Sequence, residues 1–183
     1  LSHRVQASLV GPRLVQPDHP QAARQRRRAR ALAGLLRRLL RLARDGAGIV
    51  AHYANSKAGA EQTVADVEAM GGAAVAYQAD IAKRPEVRAM FEAIDRNPGR
   101  IDIVVNNSGV SSAASLAEVT DEDIAFIFGV NTFGPLYVAS EAAKRLPEGG
   151  RIINFSSSAA HHPMAGAGLY MALSATSTPT FRV

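Results

Sequence analysis

The spacing of apolar positions alternates between helical and strand periods along the chain. From 29 to 44, Leu32, Leu35, Leu36, Leu39, Leu40 and Ala43 recur at i, i+3, i+4, i+7, i+8 and i+11. Arg30, Arg37, Arg41 and Arg44 lie mostly opposite, which predicts an amphipathic helix closed by Asp45-Gly46. The apolar run Ile49-Val50-Ala51-His52-Tyr53 then predicts a short buried strand, followed by a helix from about Ser56 to Met70 that Gly71-Gly72 stops. Ala73 to Ala79 reads as a second strand, and Pro85 opens a helix running to about Asp95. Ile101 to Val105 is a third strand. A long helix from about Asp121 to Arg145 follows, with Thr120 as its N-cap and Pro135 as a kink or break. Arg151 to Phe155 is a fourth strand. Residues 1–28 carry no sustained period and are interrupted by Pro12, Pro17 and Pro20.

Strands alternating with helices of this length predict βαβ units on a parallel sheet. Right-handed crossovers then place helices on both faces, and the near-continuous apolar strands suit burial on both sides. The expected fold is therefore α/β, a doubly wound parallel sheet. Ligands of such sheets bind outside the carboxyl ends of the strands. Two polar clusters, Asn106–Gly109 and Ser156–Ser158, fall at those ends.

Charge changes the picture by being uneven. The 183 residues carry a net charge of +5, yet residues 1–44 hold 11 Arg and one acid, Asp18, for +10. The remainder holds 10 basic and 15 acidic residues, for −5, and is an ordinary slightly acidic domain with no nucleic-acid-binding face. With 47% apolar residues the chain can bury a core, and with no cysteine it has neither disulfides nor thiolate chemistry. No run approaches a membrane span. His161-His162 point in different directions and lack further ligands nearby, so no metal site is expected there.

Ser157, just past a strand, and Tyr170, 13 residues later, could converge on one substrate oxygen. The plainer reading makes Ser156–Ser158 a loop cluster and Tyr170 a half-buried anchor. The ordered set changes the balance: Asp80-Ile81 after one strand, Asn106-Asn107-Ser108-Gly109 after the next, Gly129-Val130-Asn131-Thr132 in the long helix, then Ser157 and Tyr170. In order and spacing this resembles the short-chain dehydrogenase/reductase family from about Arg41 to Ala172. Ser108 stands where the family's strand motif usually has Ala.

The resemblance implies a Rossmann-like sheet, here incomplete at its C-terminal edge. It implies NAD(P)(H)-dependent carbonyl reduction or alcohol oxidation by hydride transfer, with a small-molecule substrate. Tyr170 would be the acid/base, Ser157 would hydrogen-bond the reacting oxygen, and Asn131 would hold a water in the proton relay. Asp80 and Ile81 would contact the adenine, and Asn107 and Gly109 would line the adenosine side. Past Tyr53 the segment Ala54-Asn55-Ser56-Lys57 offers no acid for a ribose 2′-hydroxyl. Ser56 and Lys57 would suit a 2′-phosphate, which leans to NADP over NAD. Ser56 could equally cap the following helix, and the two roles are compatible.

Two departures qualify the implied activity. The family has a lysine four residues after its tyrosine, and position 174 is Ser174. That lysine would favour the phenolate of a group whose free pKa is about 10. The family's Gly-rich phosphate turn, counted back from Asp45, falls near residues 28–35, where only Gly34 is a glycine. Both ends are therefore expected to be out of frame or from a degraded gene. The chain divides into an Arg-rich segment 1–40, a Rossmann-like core 41–172 and an atypical tail 173–183. The alternative to an oxidoreductase is a truncated, catalytically inactive remnant, a pseudoenzyme or interaction module. A transit peptide or a membrane-lying helix is the lesser reading of the Arg-rich segment, and a solvated basic run is the expected one. A cytoplasmic protein without membrane or nucleic-acid partners is expected, homo-oligomeric in its full-length parent.

Overall fold

A computed structural model describes residues 4–8, 39–110, 117–156, 169 and 181–182. In chain order the elements are β1 (Arg4–Ser8), α1 (39–44), β2 (Gly48–Tyr53), α2 (Lys57–Glu68), β3 (Ala74–Gln78) and α3 (Arg84–Arg96). Then come β4 (Ile103–Asn106), α4 (Asp121–Phe128), a π-helical turn (Gly129–Phe133), α5 (Gly134–Ala143), β5 (Arg151–Asn154) and β6 (Phe181–Arg182). The strands form one sheet in the order β3-β2-β1-β4-β5-β6. The chain steps outward from β1 to β3 and returns to β4 on the other side of β1. That reversal opens a crevice above the carboxyl ends of β1 and β4.

Period-2 alternation sorts the strand residues onto two cores. Ile49 and Ala51 of β2, with Ile103 and Val105 of β4, pack against Leu39 and Ala43 of α1 and Val67 of α2. Val50, Val104 and Ile152 face the other way, onto Val87, Met90, Phe91 and Ile94 of α3 and Val138 and Ala142 of α5. The i, i+3, i+4, i+7 spacing of the α3 residues gives that helix one apolar stripe, and Pro85 occupies its first turn as expected. Helices thus cover both faces of the doubly wound sheet.

Three features differ from the pattern read in the sequence. First, residues 1–28 gave no strand signal, yet Arg4–Ser8 is the central strand, paired in parallel with β2 on one side and β4 on the other. With only Val5 and Ala7 apolar, its place is fixed by two neighbouring ladders more than by its own pattern. Second, the single kinked helix is two helices joined by a π turn that lies two to six residues before Pro135. Thr120 caps α4 as expected: its hydroxyl accepts from the Asp123 amide at 3.1 Å, and its own amide donates to the Asp123 carboxylate at 3.2 Å. Third, among the described residues β5 also pairs antiparallel with the two-residue strand β6, in a tail that showed no strand pattern.

α5 begins at a close approach. A Cβ on Gly134 would lie 2.7 Å from Cδ1 and 2.8 Å from Cγ1 of Ile81. Gly134→Ala therefore forces Ile81 or the helix to move, and a loss of about 1–3 kcal/mol is expected in urea unfolding. An unchanged midpoint would show that Ile81 swings aside freely.

Candidate functional site

The carboxyl rim of the sheet brings together most of the residues singled out in the sequence. At the end of β4, Asn106 is buried and donates from Nδ2 to Oδ1 of Asn154 at 2.8 Å, tying β4 to β5. The Phe155 amide donates to the Asn106 carbonyl at 3.0 Å and extends this junction by one residue. Asn107, Ser108 and Gly109 follow, all partly exposed above the strand.

Asn131 lies in the π turn, and its side chain closes on that segment. The Val110 amide donates to Oδ1 at 2.8 Å, and Nδ2 donates to the Val110 carbonyl at 2.7 Å. This two-bond bridge fixes the amide's orientation, because Oδ1 must meet an N–H and Nδ2 a carbonyl. It leaves one Nδ2 hydrogen and one Oδ1 lone pair for other partners. Single π turns inside α-helices occur frequently at functional sites, and here the widened backbone presents Asn131 to the β4 loop.

At the end of β3, Asp80 starts a tight turn into α3. Its Oδ1 accepts from the Ala82 amide at 3.1 Å, and its carboxylate lies 3.7 Å from Lys83 Nζ. The Asp80 amide donates to Glu86 at 2.7 Å, which with the Lys83 ammonium holds the Glu86 carboxyl below its usual range. Ile81 is buried under this turn.

At the end of β2, Ser56 is the N-cap residue of α2, but its side chain makes no capping hydrogen bond. Its hydroxyl sits where a Cβ on Gly59 would come within 2.7 Å of it, so only glycine there leaves it undisturbed. Lys57 is exposed and 3.5 Å from Glu61, and the first turn of α2 contains no acid. A hydroxyl, an ammonium whose partner Glu61 lies one turn further on, and a helix N-terminus with no acid in its first turn form a donor set suited to a phosphate.

Ser157, Tyr170, Ser174, His161-His162 and the region counted for the glycine turn lie outside the described residues. Leu169, next to Tyr170, is helical and buried in the core on the α3/α5 side. Among the described residues no helix is long and apolar enough to cross a membrane.

His52 had no assigned role in the sequence, where it read as one more member of an apolar strand. Its ring is 1% exposed and its Nε2 lies 2.8 Å from the Ala79 carbonyl. Burial holds its pKa below the usual 6.5, against smaller opposing effects of the Ala79 bond and the Asp80 charge. The unfolded chain therefore takes up a proton at pH values where the folded chain does not. His52 contributes its full stability above about pH 6.5, and that stability falls as pH drops toward the lowered folded value. The expected result is a stability slope that rises with pH below about 6.5. His52→Gln should flatten it in paired denaturation curves.

A doubly wound sheet with a polar rim at its switch point defines an α/β domain of the Rossmann-like class. The short chain dehydrogenase family matches residues 36–175, and the chain belongs to that family. An uncharacterized oxidoreductase of Methylorubrum extorquens is 48% identical over 116 residues, covering 63% of this chain and 47% of the relative. A short-chain dehydrogenase/reductase from Serratia marcescens has a similar structure, with TM-score 0.77, 27% identity and coverage of 96% of this chain and 64% of that one. A short chain dehydrogenase from Burkholderia cenocepacia in complex with NADP gives TM-score 0.70 and 38% identity, covering 76% of this chain and 58% of that one. The chain spans about half the length of the curated relatives it matches.

Proposed function

We propose that this chain is the nucleotide-binding portion of an NADP(H)-dependent oxidoreductase that interconverts a carbonyl and an alcohol. The observation that carries the reading is the gathering of Ser56-Lys57, Asp80-Ile81, Asn107–Gly109 and Asn131 at the ends of β2, β3 and β4 and the π turn beside them. The uncommitted Ser56 hydroxyl, exposed Lys57 and acid-free start of α2 fit the extra phosphate of NADP and favour it over NAD.

In this reading Ser56 and Lys57 hold the 2′-phosphate. Asp80 and Ile81 bound the adenine, and Asn107 and Gly109 line the adenosine side. NADPH, when bound, supplies the hydride. Tyr170 gives its proton to the substrate oxygen as the carbonyl is reduced, or takes it back in the reverse direction. Ser157 donates a hydrogen bond to that same oxygen, and Asn131 uses its remaining amide capacity to hold a water of the proton relay. A phenol must be brought from about 10 toward the working pH to do this well.

Ser174, in place of the lysine that would assist, favours a second reading: a chain that binds NADPH without turnover. One titration and one assay separate the two. If the oxidoreductase reading holds, the chain binds NADPH and consumes it with a panel of ketones and aldehydes. Tyr170→Phe then removes consumption while leaving NADPH affinity within about twofold. Tight binding without consumption supports the second reading, and absence of binding sinks both.

A further inference from the structure

The β3 strand ends where the adenine-contacting pair begins, and both polar backbone groups of Ala79 are taken at that junction. Its amide donates to the Tyr53 carbonyl of β2 at 3.0 Å, the last rung of the ladder. Its carbonyl meets His52 Nε2 at 2.8 Å, a bond from a side chain 27 residues away. Beyond Ala79 the turn is closed by local bonds, Ala82 amide to Asp80 Oδ1 at 3.1 Å and Lys83 amide to the Asp80 carbonyl at 2.9 Å. Gly134 brings the start of α5 directly against Ile81. Where the chain leaves β3, His52 holds the Ala79 carbonyl and Glu86 holds the next amide, that of Asp80, at 2.7 Å.

The His52 donor is a buried ring N–H. The Ala79 carbonyl is an acceptor, so the Nε2–H tautomer is required, and His52 projects from the same face of β2 as Val50, into the core on the α3/α5 side. Leucine or phenylalanine would fill the same space and leave the carbonyl without this donor.

We propose that His52 is a positioning residue for the adenine end of the coenzyme site: by holding the Ala79 carbonyl it fixes the turn that presents Asp80 and Ile81. This rests on the reading that NADPH binds with its adenine at those two residues. It adds that base recognition is supported from beneath the sheet rim by a residue that never touches the ligand.

The test compares NADPH with its hypoxanthine analogue, which lacks the 6-amino group, on the full chain. His52→Phe should cut the preference for NADPH over the analogue about tenfold, because a misplaced turn loses the amino-group contact but little else. His52→Gln, which keeps an N–H at similar reach, should restore the preference to within about twofold of the parent. In the ligand-free protein, amide hydrogen exchange across residues 79–83 should rise in the Phe variant and not in the Gln variant. His52→Leu takes the place of the Phe variant should that chain not fold. General destabilisation would weaken both ligands together and leave the preference intact, which overturns the proposal. If the parent chain binds neither nucleotide, the coenzyme reading itself fails. If it binds NADPH and the preference ignores position 52, only the positioning role fails.

Discussion

Phe91→Ala should destabilise the protein by about 3–5 kcal/mol, the largest loss expected from any single core truncation described in this fold. Phe91 is 0% exposed at the centre of the apolar stripe of α3, between the sheet and α5. Its ring also lies under the Arg145 guanidinium, 5.4 Å from the centroid. Arg145 is the strap between the two helices, bonding Asp95 of α3 at 2.9 Å and Glu141 of α5 at 2.8 Å. Glu141 is itself buried, and the Lys144 bond, with Arg145 second, holds its carboxyl below the usual range against the opposing effect of burial. Removing the ring thus opens a cavity and takes the apolar floor from a charged cluster. Against a total stability of about 5–15 kcal/mol the chain should be near its folding threshold. Urea titration would show a lower midpoint with the slope preserved. Phe91→Leu keeps most of the volume and should cost under about 1.5 kcal/mol. A double-mutant cycle with Arg145→Met should leave a coupling of about 0.5–1 kcal/mol for the cation–π contact.

Elements with a clear apolar period and a Gly or Pro at one end were legible in the sequence. β2, β3, α2 and α3 fall within one or two residues of the spans their patterns predict, because run length, Gly71-Gly72 and Pro85 act locally. β1 was not legible. A five-residue central strand draws its stability from two partners, β2 and β4, that begin about 40 and 100 residues further along the chain, and nothing in Arg4–Ser8 announces them. The π turn was equally silent, since residues 124–139 are apolar at most positions and a one-residue shift of phase leaves no mark in such a stretch. The place of Asn106–Gly109 followed from the rule that ligands meet strand ends, and that of Asp80 from the family resemblance. The commitments of the site side chains did not: Asn131 bonds a backbone 21 residues away and His52 one 27 residues away. Contacts of that range are set by tertiary packing.

Ser56→Asp should weaken NADPH binding about 10- to 100-fold while changing NADH binding by less than threefold. The hydroxyl it replaces makes no cap bond, so the substitution removes a free donor and brings a carboxylate to the mouth of α2. A phosphate dianion there would lose one hydrogen bond and face a like charge. The helix would not suffer, since Asp is at least as good an N-cap as Ser and complements the dipole by about 0.3–1 kcal/mol. Unchanged or improved thermal stability would therefore separate a binding effect from an unfolding one. Lys57→Ala removes the neighbouring ammonium. Its pairing with Glu61 is between side chains 70% and 59% exposed, so it competes weakly for that charge. The expected loss for NADPH is about tenfold, with a shallower dependence of affinity on salt than in the parent. NADH, lacking the 2′-phosphate, should respond to neither. Equal losses for both nucleotides would place the phosphate elsewhere on the rim and remove the basis for preferring NADP.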